Sequence, residues 1–132
     1  NAIYKLARAV AKLEGYHFDI APDTLLGTTS LCVSSVHGGI NRNSVPDRAE
    51  CSVDIRTVPG HCHSDILAEL SVLLGEEVEI IPEVNAAAVL TDADSAWVQT
   101  VYDILEPRLG TRPEPRGAPY FTDASARNRL VS

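Results

Sequence analysis

In the opening stretch, "NAIYKLARAVAKLEG", apolar side chains recur at Ile3, Leu6, Ala7, Val10 and Leu13. That spacing marks one face of a helix. Asn1 is a good N-cap and Gly15 a stop, so a helix is predicted between them. "YHFDIAPDTLLG" has no period and reads as a loop closed by Gly27. The run "TTSLCVSSVH" is rich in β-branched and small residues and reads as a strand ending at Gly38-Gly39. In "AECSVDIRT" the period becomes two. Cys51, Val53 and Ile55 share one face, and Glu50, Ser52, Asp54 and Arg56 share the other. The two runs predict an antiparallel pair with one dry face and one polar face.

Pro59-Gly60 is a turn, after which Ser64 or Asp65 is placed to cap a second helix. Its apolar stripe is Ile66, Leu67, Leu70, Leu73 and Leu74, and Gly75 ends it. "EVEIIPEV" reads as a third strand, with Pro82 favouring an edge. The order helix, strand, strand, helix, strand predicts an α+β fold with two helices on the dry face of a small antiparallel sheet. A strand ahead of residue 1 would complete a β-α-β-β-α-β ferredoxin-like unit. "NAAAVLTDADS", residues 85–95, changes character and marks the expected boundary between a unit at 1–90 and a segment at 91–132. A third amphipathic helix follows, with Trp97, Val98, Val101, Tyr102, Ile104 and Leu105. "PRLGTRPEPRGAP" reads as a connection without a packed element. "YFTDASA" comes next, and "RNRLVS" ends the chain without a core of its own. Residues 91–132 are expected to need contacts from outside this chain.

Composition narrows the function class. The chain has 132 residues, 45% hydrophobic and 22% charged, as a soluble globular protein does. A net charge of −7 argues against a nucleic-acid scaffold or a partner on an anionic membrane surface. No apolar run approaches the roughly 20 residues of a membrane span. The absence of methionine suggests an internal piece of a longer protein. Cys32, Cys51 and Cys62 are odd in number, without disulfide-framework spacing. They read as reduced, partly buried thiols of a cytoplasmic protein, with a catalytic thiol as the sharper alternative.

Candidate chemistry is sparse. "HCH", residues 61–63, invites a metal, but no second ligand pair stands at structural-zinc spacing, and solvated loop histidines are the simpler expectation. His37 has no local triad partner and reads as a strand-end residue. No glycine pattern makes a phosphate loop. Asn43 and Arg56 stand out in "GGINRNSVPDRAECSVDIRTVPG". A guanidinium on a polar strand face can hold a carboxylate through two parallel hydrogen bonds. A surface ion pair of Arg56 with Asp54 or Glu50 fits the spacing equally well.

Three segments carry a resemblance: "NAIYKLARAVAKLE", "LGTTSLCVSSVHGGINRNSVPDRAECSVDIRTVPG" and "YFTDASA". In this order they resemble the zinc-dependent acetylornithine deacetylase, succinyl-diaminopimelate desuccinylase and aminoacylase family, with acetylornithine deacetylase nearest in flavour. The resemblance implies an amide hydrolase of N-acyl amino acids or small peptides, with two zinc ions in an α/β catalytic domain and an inserted lid and dimerisation domain. Residues 1–90 then correspond to the inserted domain without its first strand, and 91–132 to part of the catalytic domain. Asn43, Arg56 and, more loosely, Thr122 beside Asp123 match substrate-binding positions. The regions carrying the metal ligands, the general base and the lid histidine lie outside this chain. No residue here is therefore expected to be catalytic or to bind zinc, and the isolated chain is expected to be inactive. The partners implied are a second copy, meeting through residues 1–90, and a carboxylate substrate. The rival reading is a stand-alone ferredoxin-like module for oligomerisation or small-ligand binding.

Overall fold

The computed structural model describes residues 1–127. Helix α1 spans Ala2–Glu14, strand β1 Ser30–Gly38, strand β2 Ala49–Arg56, helix α2 His63–Leu74, helix α3 Ala96–Leu109 and the short helix α4 Ala124–Arg127. The fold is α+β, with α1 packed on both strands of an antiparallel pair and on α2.

Asn1 caps α1, its Oδ1 accepting the Ile3 amide at 3.0 Å. The helix buries Leu6, Ala9 and Leu13, while Ala7 faces solvent. The stripe is thus rotated from the predicted one, and the small Ala9 lies against the domain interior. Leu13 meets Ile66 and Leu70 of α2 in the core, and Phe18, Leu31, Val33, Ile55 and Ile80 pack around them. Helix α2 starts one residue before the expected caps. Cys62 is its N-cap, and no side chain bonds the first amides. At the other end, Lys12 Nζ donates to the Leu73 carbonyl at 2.7 Å, satisfying a group that the helix leaves unpaired. Lys5 Nζ meets Glu77 Oε1 at 2.6 Å just beyond. A row of basic residues on α1 therefore fastens the end of α2.

The ladder runs from Ser30 opposite Arg56 to Gly38 opposite Ala49, with an irregularity between Val33 and Ser35 that the alternation did not foretell. This bulge reverses the phase of β1. Before it, Leu31 and Val33 oppose Ile55 and Val53; after it, Val36 opposes Cys51. By register Val36, although 56% exposed, therefore shares the side of Cys51 and Val53, where an unbroken alternation would have placed Ser35 and His37. Gly38 marks the closest approach. A Cβ there would lie 2.9 Å from Ala49 Cβ and 3.1 Å from Ile3 Cγ1. Gly39 follows with φ +78°, which a side chain disfavours.

The expected third strand is not formed. Among the described residues the sheet has two strands. Residues 78–81 still alternate in exposure, with Val78 and Ile80 half-buried and Glu79 and Ile81 exposed. They have the extended pattern of a strand but no ladder. In a β-α-β-β-α-β unit this segment pairs with a strand ahead of α1, and among the described residues it has no ladder partner.

Helix α3 continues through Pro107 to Leu109, farther than the Pro/Gly-rich sequence suggested. A proline near the C-terminus costs one intrahelical hydrogen bond, and Gly110, at φ 75°, closes the helix, its N–H donating to the Glu106 carbonyl. Arg112 folds back over it, bonding Asp103, Glu106 and Gln99 at 2.8, 2.9 and 2.6 Å. Helix α3 buries no residue and packs on no other helix or strand among those described, leaving Trp97, Ile104 and Leu109 exposed. The chain touches the first unit again at Gly117, where a Cβ would come within 2.9 Å of the Leu25 carbonyl carbon. Of the terminal "RNRLVS", residues 128–132 lie outside the described residues.

Candidate functional site

Arg56 ends β2 on the polar face. Its Nε donates to Asp54 Oδ2 at 2.7 Å, and both side chains are about half exposed, at 47% and 51%. Glu50, the other acid considered for it, is instead held by Arg48 at 3.3 Å. The ion pair therefore exists. It uses one nitrogen of the guanidinium and leaves the Nη pair without a partner among the described residues.

Asn43 lies in the bend between the strands, at the opposite end of the ladder. Its neighbour Asn41 organises that bend, with Oδ1 accepting from the Asn43 amide and the Ser44 hydroxyl, each at 2.9 Å. The Asn43 side chain is exposed and makes no hydrogen bond among the described residues. The sequence reading singled out Asn43 and missed Asn41; an asparagine two residues before a turn amide was the available signal. The bend is fastened to α1 by the Ala2 amide, which donates to the Pro46 carbonyl at 2.9 Å. Seven strand steps from Ala49 to Arg56, at about 3.3 Å each, put the two ends about 23 Å apart. The structure does not bring Asn43 and Arg56 of one chain together.

Thr122 is exposed and caps α4, its Oγ1 accepting the Ala124 amide at 3.1 Å. Asp123 is exposed beside it. Gly117, five residues earlier, lies on the Leu25–Leu26 loop that leads into β1 at the Arg56 end.

The two histidines of "HCH" are not loose solvated residues. His61 Nδ1 is 3.1 Å from Thr29 Oγ1, and its ring meets Phe18 edge-on at 5.0 Å. His63 is engaged at both nitrogens, by Thr57 Oγ1 at 3.3 Å and by Asn85 Oδ1 at 2.5 Å. The turn at Pro59-Gly60 folds this segment back against Thr29 and Thr57. Each imidazole faces a different partner, and no three His, Cys, Asp or Glu side chains converge among the described residues. The donor set here does not fit a metal ion. His37 is exposed on β1, opposite Glu50.

The thiols also depart from expectation, because only Cys51 is half-buried while Cys32 and Cys62 are exposed. Burial pushes the Cys51 thiol up, whereas the Ser64 hydroxyl, 3.0 Å from Sγ, brings the Cys62 thiol down. At the far side of the core Tyr16 donates to Glu69 Oε2 at 2.5 Å, and that bond raises the phenol.

Residues 1–81 match the pattern of the peptidase dimerisation domain. The chain belongs to that family. It thus carries the dimerisation domain of a peptidase family whose enzymes are hydrolases and generally metal-dependent. The match spans both helices, the strand pair and the ladderless segment through residue 81, and so includes Asn43 and Arg56. The search of curated proteins gave no match. No helix among the described residues is long and apolar enough to cross a membrane.

Proposed function

We infer that this chain supplies the dimer contact and the substrate-carboxylate grip of a zinc-dependent amide hydrolase. Its substrates would be N-acyl amino acids or small peptides, in the manner of acetylornithine deacetylase. Residues 1–90 form the lid and dimerisation unit, and 91–132 belong to the catalytic half. Two zinc ions, bound by residues outside this chain, would activate water and polarise the amide carbonyl. The residues here do other work. Arg56 holds the carboxylate through its Nη pair, Asn43 donates from its amide, and Thr122 contributes at the rim. The parent enzyme would act in the cytoplasm, consistent with three unpaired thiols.

The observation that carries this reading is the separation of Asn43 and Arg56 at opposite ends of the ladder. One small carboxylate cannot touch both residues of a single chain. In a two-fold dimer, Asn43 of one subunit meets Arg56 of the other, and two equivalent sites form. Subunit mixing in the parent enzyme tests this. Asn43→Ala and Arg56→Ala dimers, each nearly inactive, are dissociated, mixed and reassociated. Each heterodimer then has one doubly altered site and one intact site, so random pairing restores about a quarter of the wild-type sites. Demonstrated subunit exchange with no recovered activity contradicts the shared site.

A further inference from the structure

Arg56 projects from the strand face opposite the helices, and Asp54 lies two residues back on the same face. Such neighbours are about 6.7 Å apart along a strand, a gap that an aspartate and a turned-back arginine stem close between them. A guanidinium has two usable edges: Nε with one Nη, and the Nη pair. Asp54 takes the first through a single 2.7 Å bond to Nε. The second edge, whose two parallel donors match a carboxylate, has no partner among the described residues. Nothing walls it off. The residues paired across the ladder are Ser30, opposite Arg56, and Cys32, opposite Asp54, both small and exposed. The next acid on this face, Glu50, is occupied by Arg48.

We propose that Asp54 is the positioning residue for the Arg56 carboxylate grip, holding Nε so that the Nη pair is presented to an incoming carboxylate. The proposal rests on the carboxylate reading of Arg56. Asp54 acts on a ligand in two opposing ways. As a negative charge it repels a carboxylate, weakly at this exposure. As an anchor it removes rotamer freedom from a long side chain before binding, which strengthens the grip. The two roles predict opposite signs on removal of Asp54, so one titration separates them.

The experiment uses the full chain, 15N-labelled, titrated with N-acetylglycine and, as an uncharged control, N-acetylglycinamide. Arg56 side-chain Nε–H and Nη resonances are followed, assigned by their loss in Arg56→Lys. The wild-type chain should respond at Arg56 to the acid and not to the amide. Asp54→Ala should weaken binding about fivefold and speed exchange of the Arg56 Nε–H with water. Asp54→Asn, which keeps an oxygen acceptor, should fall between the two. If Asp54→Ala fails to fold, Asp54→Asn alone decides the matter. Equal or tighter binding after loss of Asp54 overturns the proposal and leaves the carboxylate reading standing. No response of wild-type Arg56 to the acid ends that reading, and the positioning role with it.

Discussion

Replacing Gly38 by alanine probes the tightest contact between helix and sheet. The added methyl would stand 2.9 Å from Ala49 Cβ, closer than two such carbons approach, and 3.1 Å from Ile3 Cγ1. Ile3 is 39% exposed and can swing aside. Ala49 cannot, because its Cβ is fixed to the backbone of the paired strand, so relief requires the ladder to spread. Overpacking of this kind costs about 1–3 kcal/mol. The alanine also stiffens the unfolded chain, which returns about 0.4–1 kcal/mol. A net loss of about 1–2 kcal/mol is expected, read as a lower urea midpoint with unchanged slope. Gly15→Ala is the control, with φ −91° and open space at its Cβ, and should be neutral or slightly stabilising. Pairing Gly38→Ala with Ala49→Gly removes the opposing methyl and should recover part of the loss. A Gly38→Ala chain as stable as the parent, or a double variant no better than the sum of the singles, would refute the packing argument.

Two further outcomes follow from the fastenings around α2. Lys5, chiefly through its hydrogen bond, holds the Glu77 carboxyl below the usual range, so the stability it contributes is present above the unfolded value and lost as the pH falls through the folded one. The urea midpoint of Glu77→Gln should therefore lie below that of the parent near neutrality and converge with it in strong acid; an equal gap at both extremes would count against the ion pair. His63→Ala removes the bonds to Thr57 and Asn85 and should lower the 15N backbone order parameters around residues 84–88 with little change inside α1, and unchanged order parameters there would show that the imidazole does not hold that segment.

The helices and the strand pair were legible because their signals are local. Asn1 and Gly15 bracket α1, and the alternation from Glu50 to Arg56 needs no partner to be recognised. What escaped depends on contacts distant in sequence. The β1 bulge places Val36 opposite Cys51, and nothing in "LCVSSVH" announces it. "EVEIIPEV" has strand alternation, but a strand exists only where a ladder exists. Pro107 looked like a helix breaker, yet so near the helix end it removes only one bond. The candidate site was legible in part. Arg56 and Asn43 came from a motif, and strand length alone separated them. The partners that define each did not: Asp54 was one of two acids in reach, and Asn41 carried only the weak signal of an asparagine two residues before a turn amide.

The central claim is that residues 1–90 join two copies of this chain, so that a site can be shared between them. Sedimentation equilibrium of the purified chain over a wide concentration series tests it most directly. The account predicts a reversible shift from the monomer mass towards twice that mass as concentration rises. A mass that stays monomeric at the highest attainable concentration would contradict it.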